Sequence, residues 1–458
     1  MKFKSILSLL VACISVSAMA NAPKYVFYFI GDGMGMGHII ATETYKRVAL
    51  GDNTPLLMMQ FPVSSIVQTY PASEPITDSA AAGTALSTGY KTMNGMLGVT
   101  PDTTHVYSVA AQLKEKGYGV GILTSVAPDD ATPAAFYAHQ PSRKMYYEIG
   151  KDAAASGYEF IGGSMLRGTK DTDLLKVLAD SNVTVAHGME QLANATTRRV
   201  ILLNPEDHYR GQIGYTIDSI KGALNLPDMT RACLNHMLKT SPDRFFMMVE
   251  GGNIDYAGHS NDGGAVIKEV INFNEAIAVA YEFYLAHPDE TLIVVSADHD
   301  TGGMIIGHTH TGFSGWIRNI EHQRISKDSF GDLCKSLLMS RRIFTWEDMK
   351  ELLADRLGFW SKFKIPADAE KALQDKFEDT FSGRNSKEEK TLYQSFNEFT
   401  VLVFKTMDAA TGIDWTTTGH SGNPVPLFSI GVGADEFKTV HNNIDIPKTI
   451  RKITEIEF

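Results

Sequence analysis

Short apolar runs rich in β-branched and aromatic residues recur along the chain, and each one stops at a polar group. Clear examples are Tyr25–Ile30, Val120–Thr124, Phe245–Val249 and Leu292–Val295. Runs of this length and composition predict strands that are buried on both faces. Segments with helical spacing of apolar residues lie between them, such as Val106–Lys116 and Val266–Ala286. The alternation predicts an α/β protein, a three-layer α/β/α sandwich around a large, mainly parallel central sheet.

From residue 317 to residue 415 the pattern changes. Lys, Glu and Asp alternate with Leu and Phe at helical spacing, most clearly in Trp346–Leu357 and Lys371–Phe381. We interpret residues 317–415 as an inserted, mostly helical subdomain whose charged faces are solvated. Strand-like character returns at Pro426–Val432. Residues 21–316 and 416–458 are therefore predicted to form one core.

The N-terminus has the pattern of an export signal. Two lysines precede an apolar run from Ile6 to Ala18, and Ala18-Met19-Ala20 provides small residues for cleavage. We predict that residues 1–20 are a signal peptide and that the protein is periplasmic or secreted. Leu10-Val11-Ala12-Cys13 also fits the motif before a lipidated cysteine. We favour soluble export over lipid anchoring because the apolar run continues past Cys13 to the cleavage site.

Hydropathy and cysteine usage narrow the class of protein further. No later stretch has the ~18 uninterrupted apolar residues that a transmembrane segment needs. The other cysteines are Cys233 and Cys334, which rules out a disulfide framework and a Cys-x-x-Cys metal site. The sequence does not decide whether these two cysteines form a disulfide bridge with each other.

One segment combines a helix start with a candidate nucleophile. In Thr77–Gly89, small residues with good helix propensity follow Asp78. Ser79 is thereby placed at or near a helix N-terminus, where backbone N–H groups and the helix dipole favour an anion. The alternative is an ordinary Ser or Asp cap, which this segment alone favours.

Three further clusters carry residue types that bind metal ions. Asp255 and His259 lie one helical turn apart, and Glu250 precedes them at the end of a predicted strand. Asp298-His299 follows another strand, and His420 lies in the glycine-flanked loop Thr418–Gly422. Imidazole and carboxylate ligands without thiolate suit catalytic zinc, whereas an all-oxygen set suits magnesium.

The charge balance bears on the substrate. The chain has 42 Lys and Arg against 53 Asp and Glu, a formal net charge of −11. This balance argues against nucleic acid-specific binding, which normally requires a basic stripe. It also repels an anionic substrate at long range. Such a substrate would need concentrated local positive charge, and metal ions are the strongest source of it.

In the order and content of these motifs, the chain resembles the alkaline phosphatases over roughly residues 24–316 and 416–432. Gly31–Gly35 is similar to the family's first metal-binding turn, and Thr77–Ala81 is similar to its nucleophile segment. Asp130–Ala135 with Ser142-Arg143 resembles the stretch that supplies a magnesium ligand and a phosphate-clamping arginine.

The resemblance implies a two-zinc, one-magnesium site with Ser79 as nucleophile and Arg143 as phosphate clamp. The implied ligands of the first zinc are Asp255, His259 and His420. Those of the second zinc are Asp32, Asp298, His299 and the Ser79 oxygen. Those of magnesium are Asp32, Thr132 and Glu250, with Asp130 acting through water.

The implied function is that of an exported enzyme. It would hydrolyse small-molecule phosphate monoesters to an alcohol and inorganic phosphate through a covalent phosphoserine. A homodimer is left open. The alternatives are a phosphodiesterase or sulfatase on the same scaffold, and a non-catalytic protein that binds phosphate or metal.

Two positions depart from the family pattern. Tyr256 stands where well-known relatives carry Lys or His, so bound phosphate is expected to lose a neighbouring cation. Asp300 follows His299 without a further histidine, unlike several relatives in which a second histidine supports the site. The predicted insertion is also larger than in the simplest bacterial members.

Overall fold

The computed structural model describes residues 22–206, 211–308, 313, 316–340, 343–383 and 387–456. The predicted signal peptide and Cys13 lie outside the described residues. In chain order the strands are β1 (Tyr25–Gly31), β2 (Val63–Val67), β3 (Gly119–Thr124), β4 (Phe160–Gly162), β5 (Val183–His187), β6 (Arg199–Leu203), β7 (Phe245–Glu250), β8 (Thr291–Ala297), β9 (Asp300–Thr301), β10 (Ile305–Ile306), β11 (Glu388–Lys390), β12 (Ser395–Asn397), β13 (Ile413–Asp414), β14 (His420–Ser421) and β15 (Val425–Gly431).

The α-helices lie between these strands and in the region from residue 327 to residue 411. In chain order they are α1 (Met36–Ala49), α2 (Ser79–Thr88), α3 (Val109–Glu115), α4 (Ala131–Ala134), α5 (Tyr146–Ala155), α6 (Leu174–Asp180), α7 (Gly188–Ala193), α8 (Leu226–Thr240), α9 (Asn253–His259), α10 (Gly263–Ala286), α11 (Lys327–Met339), α12 (Trp346–Leu357), α13 (Ala367–Phe381), α14 (Glu398–Thr411) and α15 (Asp445–Ile453).

A nine-stranded sheet forms the centre of the fold, in the order β2-β15-β8-β1-β7-β3-β4-β6-β5. The strands from β8 to β5 pair in parallel, and only β15 runs antiparallel, to β8 on one side and to β2 on the other. Helices flank this sheet, with α8 and α3 packing on β3 and α10 packing on β1 and β8. The predicted three-layer α/β/α fold with a mainly parallel sheet is confirmed.

The central strands show why the apolar runs predict the fold well. Every residue of β1, β3, β7 and β8 is buried, because helices cover the sheet and leave no solvated face. These strands match the predicted runs to within two residues at each end. Polar residues follow immediately where each strand leaves the sheet.

The register of the parallel strands brings those polar residues to one edge. Ile30 of β1 pairs with Glu250 of β7, and Gly31 pairs with Ala297 of β8. Thr124 of β3 also pairs with Glu250. The carboxyl ends of β8, β1, β7 and β3 are therefore neighbours, which is where open α/β sheets bind ligands.

The region from residue 317 to residue 415 contains α11 to α14 and a short hairpin of β11 and β12. Helix α12 begins with a capping box between Thr345 and Asp348 and ends at Gly358, which has a φ of 76°. Leu353 and Phe377 pack into the same buried cluster as the strands of the sheet. The boundaries of an inserted subdomain stay a prediction.

Two further observations bear on the class of protein. Among the described residues, no helix has the length and hydropathy needed to cross a membrane. Cys233 and Cys334 are both buried free thiols, so the bridge that the sequence left open does not form.

Candidate active site

The first cluster of candidate metal ligands lies directly beyond β1 and β8. His299 Nε2 is 3.1 Å from Asp298 Oδ2 and 3.5 Å from Asp32 Oδ1. The backbone N–H of Gly33 donates to Asp298 Oδ1 over 3.0 Å, which fixes that carboxylate. The three side chains are buried and offer ligand atoms within 4.8 Å of one another.

The second cluster joins α9 to β14. Asp255 Oδ1 is 3.4 Å from His259 Nε2 and 3.6 Å from His420 Nε2. The Nδ1 atoms face backbone carbonyls, with 2.6 Å from His259 to Thr418 O and 2.8 Å from His420 to Thr77 O. Since a carbonyl only accepts hydrogen bonds, each Nδ1 carries the proton. Each Nε2 therefore presents a lone pair to the cluster.

The two Nε2 atoms of this cluster are 3.1 Å apart. Burial, followed by the neighbouring His299, lowers the pKa of His420 to about 4, so this ring is neutral at neutral pH. A cation between these two Nε2 atoms would bind both of them. The donor set of Asp255, His259 and His420 thus fits a zinc ion.

Within the described part of the chain, several buried carboxylate oxygens near the first cluster have no hydrogen-bond partner. The unpartnered atoms are Asp32 Oδ1, Asp298 Oδ2 and both oxygens of Glu250. Burial raises the pKa of Glu250 to about 8. Burial and the charges of Asp298, Asp255 and Glu250 raise the pKa of Asp32 well above its usual range. Buried acids without partners are costly, and divalent cations would stabilise their charged forms.

Ser79 is the first residue of α2 and lies next to the first cluster. Its Oγ is 3.2 Å from His299 Nε2. Asp78 is the N-cap, because Asp78 Oδ1 accepts from the N–H of Ala81 over 2.9 Å. The cap interpretation therefore applies to Asp78 and leaves the Ser79 hydroxyl facing the candidate ligands. All ten residues of α2 are buried.

Small residues allow α2 to pack closely on the segment that carries Asp130 and Thr132. A Cβ on Gly83 would lie 3.2 Å from Thr132 Cα, so a larger residue would force the segments apart. Thr132 Oγ1 in turn donates to Asp32 Oδ2 over 3.3 Å. The packing of α2 thus connects the serine helix to the oxygen-rich side of the site.

Arg143 extends its guanidinium between two carboxylates. Nη1 donates to Asp78 Oδ2 over 3.3 Å, and Nη2 donates to Asp130 Oδ1 over 3.0 Å. Burial opposes ionisation of Asp130, but the charges of Arg167 and Arg143 lower its pKa to about 2. The structure therefore places a fixed guanidinium next to the serine helix.

Two residues at the site were missed by the sequence reasoning. Tyr393, between β11 and β12, donates to Asp255 Oδ2 over 3.3 Å and stacks on Tyr256 with ring centroids 3.7 Å apart. Arg167 forms an ion pair with Asp130 Oδ2 at 3.1 Å. Neither lies in a motif. The only hint in the sequence was the absence of a cation at position 256.

Asp300 links two segments of the site. The sequence did not suggest this role, since it showed only that no second histidine follows His299. Ser421 Oγ donates to Asp300 Oδ2. The short strands β9 and β14 pair here, with His420 opposite Thr301. Asp300 therefore connects the loop that carries His420 to the strand end that carries His299.

The sequence model described as "Alkaline phosphatase" matches residues 23–177 and 208–456. The chain belongs to the alkaline phosphatase family. Alkaline phosphatase 4 of Bacillus subtilis (strain 168) is 30% identical over 442 residues, which cover 94% of this chain and 88% of that protein. The alkaline phosphatase of Schizosaccharomyces pombe is 25% identical over 93% of this chain and 80% of that protein.

Solved alkaline phosphatases share the fold. The cold-active enzyme of a psychrophilic Shewanella sp. superposes with a TM-score of 0.79 at 25% identity, covering 94% of this chain and 100% of that chain. The Thermus thermophilus enzyme superposes with a TM-score of 0.77 at 23% identity, covering 98% of this chain and 96% of that chain. At this level of identity the comparison is evidence for the shared fold only.

Membership of the alkaline phosphatase family settles the general chemistry. It identifies the protein as an enzyme that hydrolyses phosphate monoesters and implies divalent metal cofactors, for which the two clusters supply candidate ligands. The resemblance inferred from the motifs is thus confirmed. The roles of individual residues and the identities of the metal ions stay predictions.

Proposed function

We propose that the protein is an exported alkaline phosphatase that hydrolyses small-molecule phosphate monoesters through a covalent phosphoserine at Ser79. The observation that carries this proposal is the position of the Ser79 hydroxyl. It lies at the N-terminus of a buried helix, 3.2 Å from a candidate metal-binding imidazole. Export rests on the N-terminal sequence pattern alone.

The proposed cofactors are two zinc ions and one magnesium ion. Asp255, His259 and His420 would hold one zinc. Asp32, Asp298 and His299 would hold the other beside Ser79. Magnesium would take the unpartnered oxygens of Glu250 together with Asp32 and Thr132, because it prefers hard oxygen ligands. Asp130 would act on magnesium through water.

When bound, the metal ions would stabilise negative charge on the reacting oxygens and lower the pKa of hydroxyl groups. The Ser79 oxygen loses its hydroxyl proton and attacks phosphorus in line with the leaving alcohol oxygen. The new bond forms the Ser79 phosphate ester, the bond from phosphorus to the leaving oxygen breaks, and that oxygen takes up a proton and leaves as the alcohol. Arg143 binds two oxygens of the phosphoryl group through charge-assisted hydrogen bonds. Water then attacks phosphorus, breaks the bond to Ser79 Oγ and frees inorganic phosphate.

Metal removal tests the proposed function directly. We expect the purified protein to contain zinc and magnesium and to hydrolyse an aryl phosphate much faster than the matching aryl phosphate diester or aryl sulfate. Chelation should remove metal and activity together, and added zinc and magnesium should restore both. Undiminished hydrolysis after metal loss, or a preference for the diester or sulfate, would refute the proposal.

Arg143→Ala provides a test of monoester recognition. The dianionic phosphoryl group of a monoester can accept two hydrogen bonds from a guanidinium fork, whereas a diester has one charge fewer. We expect monoester kcat/KM to fall on the order of a hundredfold, with a smaller loss for the diester and weaker inhibition by inorganic phosphate. Steady-state kinetics with both aryl esters would measure this. Equal losses for both esters would contradict the assigned role.

A further inference from the structure

Tyr256 was expected to leave bound phosphate without a neighbouring cation, but the structure places Arg167 beside it. Arg167 Nη2 donates to the Tyr256 hydroxyl over 2.7 Å, and Nη1 pairs with Asp130 Oδ2 at 3.1 Å. The Tyr256 hydroxyl donates to the same Asp130 oxygen over 2.9 Å. Because Arg143 binds the other oxygen of Asp130 at 3.0 Å, this carboxylate lies between two guanidinium groups.

Arg167 is anchored through its backbone. It begins a 3-10 turn, Arg167–Thr169, in which the N–H of Gly168 donates to Asp129 Oδ2 over 2.8 Å. The Asp129 side chain is buried, so the turn cannot shift without exposing or unpairing this acid. Asp129 thus holds the backbone of this turn, and the adjacent Asp130 holds the Arg167 side chain.

The guanidinium of Arg167 is also enclosed. It lies over the Tyr146 ring at 5.4 Å and donates to the Tyr146 hydroxyl over 3.2 Å. Gly211, with a φ of 98°, approaches from another side, and a Cβ there would lie 2.6 Å from Arg167 Nη2. The positive φ of this position favours glycine, and a side chain there would displace the Arg167 guanidinium. Such close surroundings hold the guanidinium in one orientation.

The local charge balance shows what this arrangement does. Arg143 alone would face the carboxylates of Asp78 and Asp130, leaving this pocket with one net negative charge where a phosphoryl dianion has to bind. Arg167 pairs with Asp130 Oδ2 and brings the formal charge of these four side chains to zero. Arg167 supplies this positive charge from a separate turn, and its guanidinium also donates a hydrogen bond to the Tyr256 hydroxyl.

We propose that Arg167 is a positioning residue for phosphate binding, which holds Asp130 and Tyr256 behind the Arg143 fork and balances their charge. This inference rests on the proposed phosphomonoesterase function. Arg167→Ala should weaken inorganic phosphate binding and raise KM on the order of tenfold. The effect on kcat should be smaller, and zinc and magnesium contents should match the wild type.

Calorimetric binding of inorganic phosphate to the metal-loaded full chain is the main measurement. Arg231→Ala serves as the control, since Arg231 forms an exposed ion pair with Glu282 at 3.3 Å. This variant should bind phosphate like the wild type. Tyr256→Phe keeps the ring that stacks on Tyr393 but removes the hydroxyl bridge, and should weaken phosphate binding less than Arg167→Ala. If Arg167→Ala does not fold, the phosphate affinity of Tyr256→Phe tests the inference instead. Wild-type phosphate affinity in Tyr256→Phe would overturn it.

A double variant separates charge from packing. Tyr256→Lys in the Arg167→Ala background puts an ammonium group near Asp130 by another route, so it should recover most of the lost phosphate affinity. Unchanged phosphate binding in Arg167→Ala, or no recovery in the double variant, would overturn the inference. Phosphate binding needs no turnover. An inactive wild type that still binds phosphate would therefore refute the proposed function without deciding the role of Arg167.

Discussion

Ser79→Ala is expected to abolish the covalent phosphoenzyme and to lower monoester turnover about a thousandfold or more. The hydroxyl of Ser79 is the proposed attacking group at the start of α2, next to His299. The metal ions should stay bound, because eight other proposed protein ligands remain. These are Asp32, Asp298, His299, Asp255, His259, His420, Thr132 and Glu250. Any residual hydrolysis would come from direct attack by water.

Acid quenching with a phosphorus-labelled aryl phosphate measures the phosphoenzyme directly. Ser87→Ala is the matched control, since Ser87 is a buried serine of the same helix whose Oγ donates to Ala135 O over 2.8 Å. This control should keep the label and most of the activity. Label on the Ser79→Ala protein at the wild-type level would disprove the assignment of the nucleophile.

Glu250→Gln is expected to remove magnesium while leaving close to two zinc ions per chain. Among the described residues, neither oxygen of the buried Glu250 side chain at the end of β7 has a hydrogen-bond partner, and a cation would supply one. The amide keeps the shape but loses the charge that a hard cation needs. Turnover should fall on the order of a hundredfold to a thousandfold. Added magnesium should restore it only in part.

Metal analysis of the purified variant, beside its kinetics, tests this prediction. Glu269→Gln is a suitable control because Glu269 is also a buried acid, with its pKa raised by burial to about 7. Unlike Glu250, it is satisfied by the backbone N–H of Thr216 at 2.7 Å. The control should retain magnesium. Loss of zinc with retention of magnesium in Glu250→Gln would contradict the proposed three-metal arrangement.

The sheet could be predicted from the sequence because its strands are buried on both faces. β1, β7 and β8 consist almost entirely of apolar residues, and each ends at a candidate ligand or directly before one. A parallel sheet then places these polar ends on the same edge of the sheet. The antiparallel position of β15 between β2 and β8 could not be predicted, because strand pairing depends on contacts between distant segments.

The candidate ligands could be identified from the sequence because they lie in compact motifs. Arg167 and Tyr393 could not, because each is an isolated residue outside any motif. Arg167 reaches Asp130 from a turn with no distinctive sequence, and Tyr393 reaches Asp255 from a hairpin within a region of helical spacing. Their contacts follow from tertiary packing rather than from local pattern. For the same reason, the sequence did not reveal that the Arg167 guanidinium contacts the Tyr256 hydroxyl.

The place of β15 in the sheet has a consequence for the biosynthesis of the enzyme. This strand fills the gap between β2 and β8, and His420 lies in the short strand just before it. A ribosome-bound chain therefore has neither the link between β2 and β8 nor both facing imidazoles, those of His259 and His420, until residues 420–431 have been made. Pairing of such distant segments is slow. The central sheet should thus stay incomplete during translation until β15 has docked.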